Sequence, residues 1–375
     1  MNIISPHTSV LWQTKVEALK HIYGSDTNLS NTISLYPFVT REKLLLYLSY
    51  AAFFVVVADY IRSTDQIKRF FWIIFTVAIT ESVIGLLQYI ASGTEVPASG
   101  TYINPNHFAS LLIVIIPLFL GYILNLGAKQ GNPRSRWEKK FKIHISSQPT
   151  LLFATSLMAL SLILSQSRGA ILSLVASILF FYVVINRNKK TVSVKWLLGL
   201  FFLVIVVYSL WIGLDPVIEK FSASEKDLPK RTYIWKDSVN LIKDFPVFGT
   251  GLGNFSLAYT MYKNEAYWPR VYEHAHNDYI EFAVETGFIG LILIFWAIIA
   301  FYKVAISSLT ELSPNRDPLR FYLFLGCISG MFGLLIHSIT EFNFQIPSNT
   351  YYFIFLLGLS SSLLIRLKKG KTHSA

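Results

Sequence analysis

Apolar residues run through this chain in long blocks, not in the short pulses of an amphipathic element. Nine blocks fall at about 43–62, 69–92, 105–127, 149–165, 168–186, 195–213, 279–304, 319–341 and 350–366. Each is long enough, or nearly so, to cross a hydrocarbon core of about 30 Å, which takes ~20 helical residues. A segment in lipid must satisfy its own backbone polar groups, so the blocks predict helices. The expected fold class is all-α, a polytopic transmembrane helical bundle of about nine spans with one large extracytoplasmic loop containing short helices. In chain order this gives an extracytoplasmic segment at 1–42, six spans within 43–213 and the large loop at 214–278. Three spans within 279–366 and a cytoplasmic tail at 367–375 complete it.

Composition agrees with the pattern. The chain is 53% hydrophobic and 15% charged, where a soluble domain is about 25% charged. A net charge of +11 invites a nucleic-acid reading, which the distribution removes. The segments 62–69, 128–148, 187–195, 303–320 and 366–375 hold 20 of the 33 Lys and Arg residues. By the positive-inside rule these are cytoplasmic. The N-terminal segment and the 214–278 loop are then outside, and no nucleic-acid partner is expected. The single Cys327 excludes an internal disulfide framework and a cysteine zinc site. Residues 1–42 are polar and lack a signal-peptide pattern although they are assigned outside. The expectation is that helices which normally precede them are missing from this chain.

The informative residues gather at the outer ends of the spans. One span opens at Asn104-Pro105-Asn106-His107, where Asn can cap and Pro suits the first helical position. Two spans meet in the turn Ser165-Gln166-Ser167-Arg168-Gly169, which forces Arg168 to the boundary. Others open at Asn277-Asp278 and at Ser348-Asn349. Helix N-termini gathered on one face favour an anion there. Within the large loop, Ile234, Trp235, Val239, Leu241, Ile242 and Phe245 fall mainly on one helical stripe between Pro229 and Pro246. This predicts a helix on the bundle or at the interface, with Trp235 as interfacial anchor and Arg231 in its first turn. The run Gly249-Thr250-Gly251-Leu252-Gly253 follows no strand, so it reads as a backbone turn and not as a dinucleotide loop. Gly287 and Gly290 are spaced for close helix approach. His337 and Glu341 stand four apart, on one face of a predicted helix, as a structural pair or as part of a binding site. Asp59, Glu81, Glu281 and Glu285 fall inside predicted spans and should face protein, not lipid.

The stretch PRVYEHAHNDYIEFAVETGFIG, Pro269 to Gly290, sets His274, His276, Asn277 and Asp278 where a polar segment meets an apolar one. Two histidines one residue apart raise a metal, but a zinc site needs three or four ligands. The chain carries neither HExxH nor an Asp-x-Asp pair. A neutral His is a good general base near neutral pH. Arg residues suit a diphosphate, since the guanidinium fork binds phosphate oxygens in pairs. Charge developing on a leaving diphosphate would be stabilised by Arg168, Arg231 and the helix N-termini, with no metal and no cofactor.

Four stretches, in order and spacing, resemble the O-antigen ligase and polymerase family of bacterial membrane glycosyltransferases. They are YINPNHFASLL at 102–112, SQSRGA at 165–170, RTYIWKDSVNLIKDFPVFGTGLGNF at 231–255 and HAHNDYIEFAVETGFIG at 274–290. HSITEFNFQIP at 337–347 resembles a further piece found in one branch. The resemblance implies a GT-C-like bundle in the bacterial inner membrane, its active site facing the periplasm. It implies an undecaprenyl-diphosphate-linked glycan donor and an acceptor that is a glycan, lipid A-core or a protein. His276 matches the family's catalytic His-Asn motif, and Arg168 and Arg231 match its two essential arginines. His274, Asn277, Asn106 and His337 are the expected substrate-binding residues. Other polysaccharide-assembly proteins are possible partners. Two other classes fit the same pattern: a transporter or flippase of lipid-linked sugars, and a non-catalytic assembly protein.

Overall fold

A computed structural model describes residues 34–93, 96–129, 147–187, 228–263, 271–311 and 314–372. Every regular element among the described residues is helical. In order these are α1 (Pro37–Tyr60), α2 (Thr64–Ala91), α3 (Pro105–Lys129), α4 (Ser147–Leu164) and α5 (Arg168–Arg187). Then come α6 (Leu228–Asp244), α7 (Phe255–Thr260), α8 (Asp278–Glu311) and α9 (Pro318–His337). A 3-10 turn at Asn343–Gln345 leads into α10 (Pro347–Thr372). Seven of the helices (α1, α2, α3, α5, α8, α9 and α10) are long and apolar enough to cross a membrane. The expected span at 149–165 forms the shorter apolar helix α4, and the one expected at 195–213 lies outside the described residues. This is a multi-pass membrane protein.

Local chemistry explains most of the ends. Ser63 caps α2 by accepting from the Gln66 N–H, and the Gln66 side chain returns the bond. Pro37, Pro105, Pro318 and Pro347 each occupy a first helical position, where the missing N–H costs nothing. Several ends differ from expectation, three of them in ways that matter here. Helix α1 starts at Pro37, inside the segment read as a polar extracytoplasmic one. Helix α9 stops at His337, so Glu341 stands in a turn beyond it and not on the same helical face. Helix α10 runs to Thr372, through most of the expected tail.

The chain divides into two compact units. One comprises residues up to Ala51, Ser224–Phe301 and Ser338–Phe342. The other comprises Ala52–Ala223, Tyr302–His337 and the chain from Asn343 onward. In the larger unit α3 and α9 are buried almost all round. They approach closely because a Cβ at Gly330 would strike the Val114 carbonyl. Phe71 of α2 stacks on Tyr122 of α3 with ring centroids 3.9 Å apart, and Ser177 Oγ donates to the Ser329 carbonyl at 2.6 Å.

In the other unit the predicted loop helix is present as α6. Ile234, Leu241 and Phe245 point into a core with Leu35, Phe255, Tyr259, Ala275 and Val284, and Ile242 packs beside it. Val239, expected on that stripe, is exposed, because it lies off the face that meets this core. Helix α8 keeps Ile292, Leu293, Trp296 and Ile299 exposed, an apolar surface suited to lipid.

Candidate functional site

The site is built on the opening of α8. Asn277 Oδ1 accepts from the N–H groups of Tyr279 at 3.0 Å and Ile280 at 3.1 Å, capping the helix. The Asp278 N–H donates to the Ser338 carbonyl at 2.9 Å, which ties the turn after α9 to this end. Nine residues into α8 the helix is interrupted. Gly287 has φ +64° and ψ −167°, a conformation open to glycine alone at little cost. A Cβ there would strike the Val247 carbonyl. The opened backbone is re-satisfied by the preceding loop. Phe288 N–H donates to the Pro246 carbonyl at 2.7 Å, and Thr250 and Gly251 N–H donate to Val284 and Glu285 carbonyls at 2.8 and 2.9 Å. The glycine run is thus a backbone turn docked on α8, and the close approach that Gly287 permits is of a loop, not of another helix.

Just ahead of α8 the Ala275 peptide is held from both sides. Its N–H donates to Glu281 Oε2 at 2.9 Å, and its carbonyl accepts from Trp235 Nε1 at 2.9 Å. Trp235, expected as an interfacial anchor, here packs on the core of its own unit and pins this segment. His274 Nδ1 lies 2.8 Å from Glu281 Oε1, and its ring stacks on Phe342 at 4.2 Å. The next residue but one, His276, adopts φ +51°. A positive φ is strained for a residue with a Cβ and persists where surrounding contacts impose it, often at a functional site.

His276 Nδ1 lies 3.4 Å from Glu341 Oε2, and its ring meets the edge of Phe342 at 4.9 Å. Glu341 Oε1 takes Arg231 NH2 at 2.8 Å, while Arg231 NH1 donates to the Thr340 carbonyl. The Glu341 side chain is 2% exposed, against 30% for Arg231 and 31% for His276. The carboxylate is therefore behind, and the guanidinium and imidazole are in front. His274 and His276 turn their Nδ1 atoms to different carboxylates and do not form one ligand set. Among the described residues no group of three or more His, Cys, Asp or Glu could hold a metal ion.

The remaining expected site residues belong to the larger unit. Arg168 is half-buried and opens α5 directly after a turn in which Gln166 has φ +56°. His337 is fully buried; its Nδ1 lies 2.9 Å from Ser110 Oγ, which is 2.5 Å from Asn343 Oδ1. The carbonyl of Asn106 accepts from the same Ser110 hydroxyl at 2.8 Å. Asn349 is buried and donates to the His107 carbonyl at 3.2 Å, so it joins α10 to α3 and is not only an end cap. Glu81 accepts from the N–H and hydroxyl of Thr101 at 2.8 and 2.6 Å. It borders a cavity of about 290 Å³ shared with Tyr102, Ser348 and Tyr352. Burial pushes the Tyr102 phenol up to about 12, so it is a hydrogen-bond donor there at neutral pH. Asp59, expected to face protein, is exposed and paired with Arg62 at the end of α1.

Comparison with known proteins adds a likeness in sequence. The O-antigen ligase family model matches residues 153–295. That stretch contains Arg168, Arg231, the glycine turn, His274, His276 and Gly287. Residues 153–295 are thus similar to the O-antigen ligase family. The exopolysaccharide production protein ExoQ of Rhizobium meliloti (strain 1021) is 27% identical over 166 residues. That match covers 43% of this chain and 36% of ExoQ, so the chain spans about a third of the length of this relative. The O-antigen ligase segment ends before Thr340, Glu341 and Phe342. The His276 site thus combines residues of the matched stretch with a turn from outside it.

Sequence reasoning left two contributors without a role. Glu281 was legible only as an acid inside a span, and Phe342 carried no signal beyond its place after Glu341 in HSITEF.

Proposed function

We propose that the protein is a membrane glycosyltransferase of the O-antigen ligase or polymerase type. It moves a glycan from undecaprenyl diphosphate to an acceptor hydroxyl at the periplasmic face of the inner membrane. The observation that carries this reading is the meeting of His276 and Arg231, distant in sequence, around one buried carboxylate at the mouth of an apolar helix. In the proposed reaction the acceptor oxygen attacks the anomeric carbon as the carbon–oxygen bond to the diphosphate breaks, with inversion. His276 takes the proton of the acceptor hydroxyl. Arg231 binds the diphosphate and neutralises the charge it gains on leaving, so no metal is required, and the resemblance gives Arg168 the same task. The acceptor hydroxyl is that of a glycan, of lipid A-core or of a protein.

A transporter or flippase would break its helices near mid-membrane, where the substrate crosses. The break in α8 leaves Phe288 to Leu309 uninterrupted, enough to cross a ~30 Å core at ~1.5 Å per residue. This favours a site standing above the hydrocarbon. The test is the purified protein in nanodiscs with an undecaprenyl-diphosphate-linked oligosaccharide and an acceptor glycan. Release of undecaprenyl diphosphate coupled to a lengthened glycan supports transfer; movement of the lipid-linked sugar with no release would replace the proposal with transport.

A further inference from the structure

We infer that Glu341 is a positioning residue which fixes the tautomer of His276 and the aim of Arg231. This deepens the transferase reading and rests on it for its catalytic consequence. An ionised carboxylate accepts hydrogen bonds and donates none. With Glu341 Oε2 facing Nδ1 at 3.4 Å, the proton of a neutral His276 belongs on Nδ1, leaving Nε2 with the lone pair. Free imidazole gives no such assurance, and a base with its proton on the wrong nitrogen cannot take another from the acceptor. The other oxygen, Oε1, holds Arg231 NH2 at 2.8 Å, and the Thr340 carbonyl takes NH1. The guanidinium plane is thereby set while part of it stays exposed toward incoming phosphate oxygens.

Burial makes this arrangement decisive. A carboxylate that is 2% exposed is stable only if its charge is compensated, and Arg231 and His276 each face one of its two oxygens. One anion behind two exposed groups also accommodates the proton taken up in the reaction, because an imidazolium formed at His276 gains a counter-charge at its back. The contacts of Phe342 with both histidine rings hold the turn in register. The second pair, His274 with Glu281, differs: Glu281 spends its other oxygen on the Ala275 N–H and so braces the backbone.

Glu341→Gln separates positioning from simple packing, because it keeps the shape and reverses one hydrogen-bonding end. Arg231 can only donate, so the amide oxygen turns to it and the amide NH2 faces His276. That NH2 then donates to Nδ1 and drives the ring proton to Nε2. Nitrogen-15 histidine spectra of the full chain in nanodiscs read the tautomer directly, with His276→Gln assigning the signal. The measurement is made at about pH 8.5, two units above the ordinary imidazole value of ~6.5. We expect Nδ1–H in the native protein and Nε2–H in Glu341→Gln. In parallel kcat should fall roughly 100-fold, the scale of a lost general base, with a smaller change in donor KM. Nε2–H in the native protein, or an unchanged tautomer in Glu341→Gln, would overturn the assignment. A tautomer that moves as expected in a protein showing no transfer would keep the role of Glu341 and remove the transferase reading alone.

Discussion

His276 and His337 each stand at the end of a long apolar helix, and their surroundings differ in every respect that matters to a proton. His337 closes α9, is sealed from solvent and is locked to Ser110 and Asn343 within the larger unit. His276 precedes α8, holds a positive φ, and is about one-third exposed in front of a buried carboxylate. A ring shut inside hydrogen-bonded side chains cannot meet an acceptor hydroxyl. A ring held from behind and open in front can. The comparison teaches that a polar histidine at a helix mouth is not enough; orientation, access and a counter-charge are what the proposed base has and the buried histidine lacks.

The largest expected effect breaks the comparison outright. His276→Ala should lower transfer by ~10²- to 10⁴-fold, measured as undecaprenyl diphosphate released by protein correctly inserted in nanodiscs. His337→Ala should instead lower thermal stability, with ~1–3 kcal/mol lost through unsatisfied buried partners, and leave the rate of the folded fraction near native. Next, Arg231→Ala and Arg168→Ala should each cost ~10²–10³-fold in kcat. If both hold one diphosphate, the double variant should lose less than the product of the two, as interacting sites do; strict multiplicativity would assign them to separate tasks.

Smaller effects sharpen how the site is supported. Gly287→Ala forces a positive φ on a residue with a Cβ and pushes it against the Val247 carbonyl. The expected cost is ~1–3 kcal/mol, visible as a lower melting temperature and faster proteolysis of the 246–251 loop. Trp235→Phe keeps the ring and removes the bond to the Ala275 carbonyl, worth ~0.5–1.5 kcal/mol. Its signature should be a few-fold loss in kcat with little change in stability. A chelator should change nothing, since the proposed charge stabilisation comes from guanidinium groups; loss of transfer on chelation, restored by a divalent cation, would contradict it.

Much of the scaffold was legible because its signals are local. A proline or Asn at a helix mouth and a three-residue turn between apolar runs survive any tertiary context, so the starts of α3, α5 and α8 and the end of α6 follow from the chain. Glu341 was harder. Extending α9 by four residues put it on the same face as His337; the true end at His337 moves Glu341 into a turn, where spacing no longer predicts partners. The break at Gly287 is also invisible to periodicity. Apolar residues continue through it, and a lipid-facing helix needs no polar stripe whose phase could slip. Asp59 misled for a related reason: it fell within an apolar block by counting, yet lies exposed at the end of α1 beside Arg62. The φ of His276 is set by clamps on the neighbouring Ala275 from Trp235 and Glu281, contacts that no local pattern encodes.

The most direct test of the account is the rate at which full-length His276→Ala releases undecaprenyl diphosphate from a lipid-linked oligosaccharide, compared with native and His337→Ala protein in the same nanodiscs. The account predicts transfer near background in His276→Ala and transfer per folded molecule close to native in His337→Ala. Native transfer in His276→Ala, or the reverse order of the two variants, would contradict it.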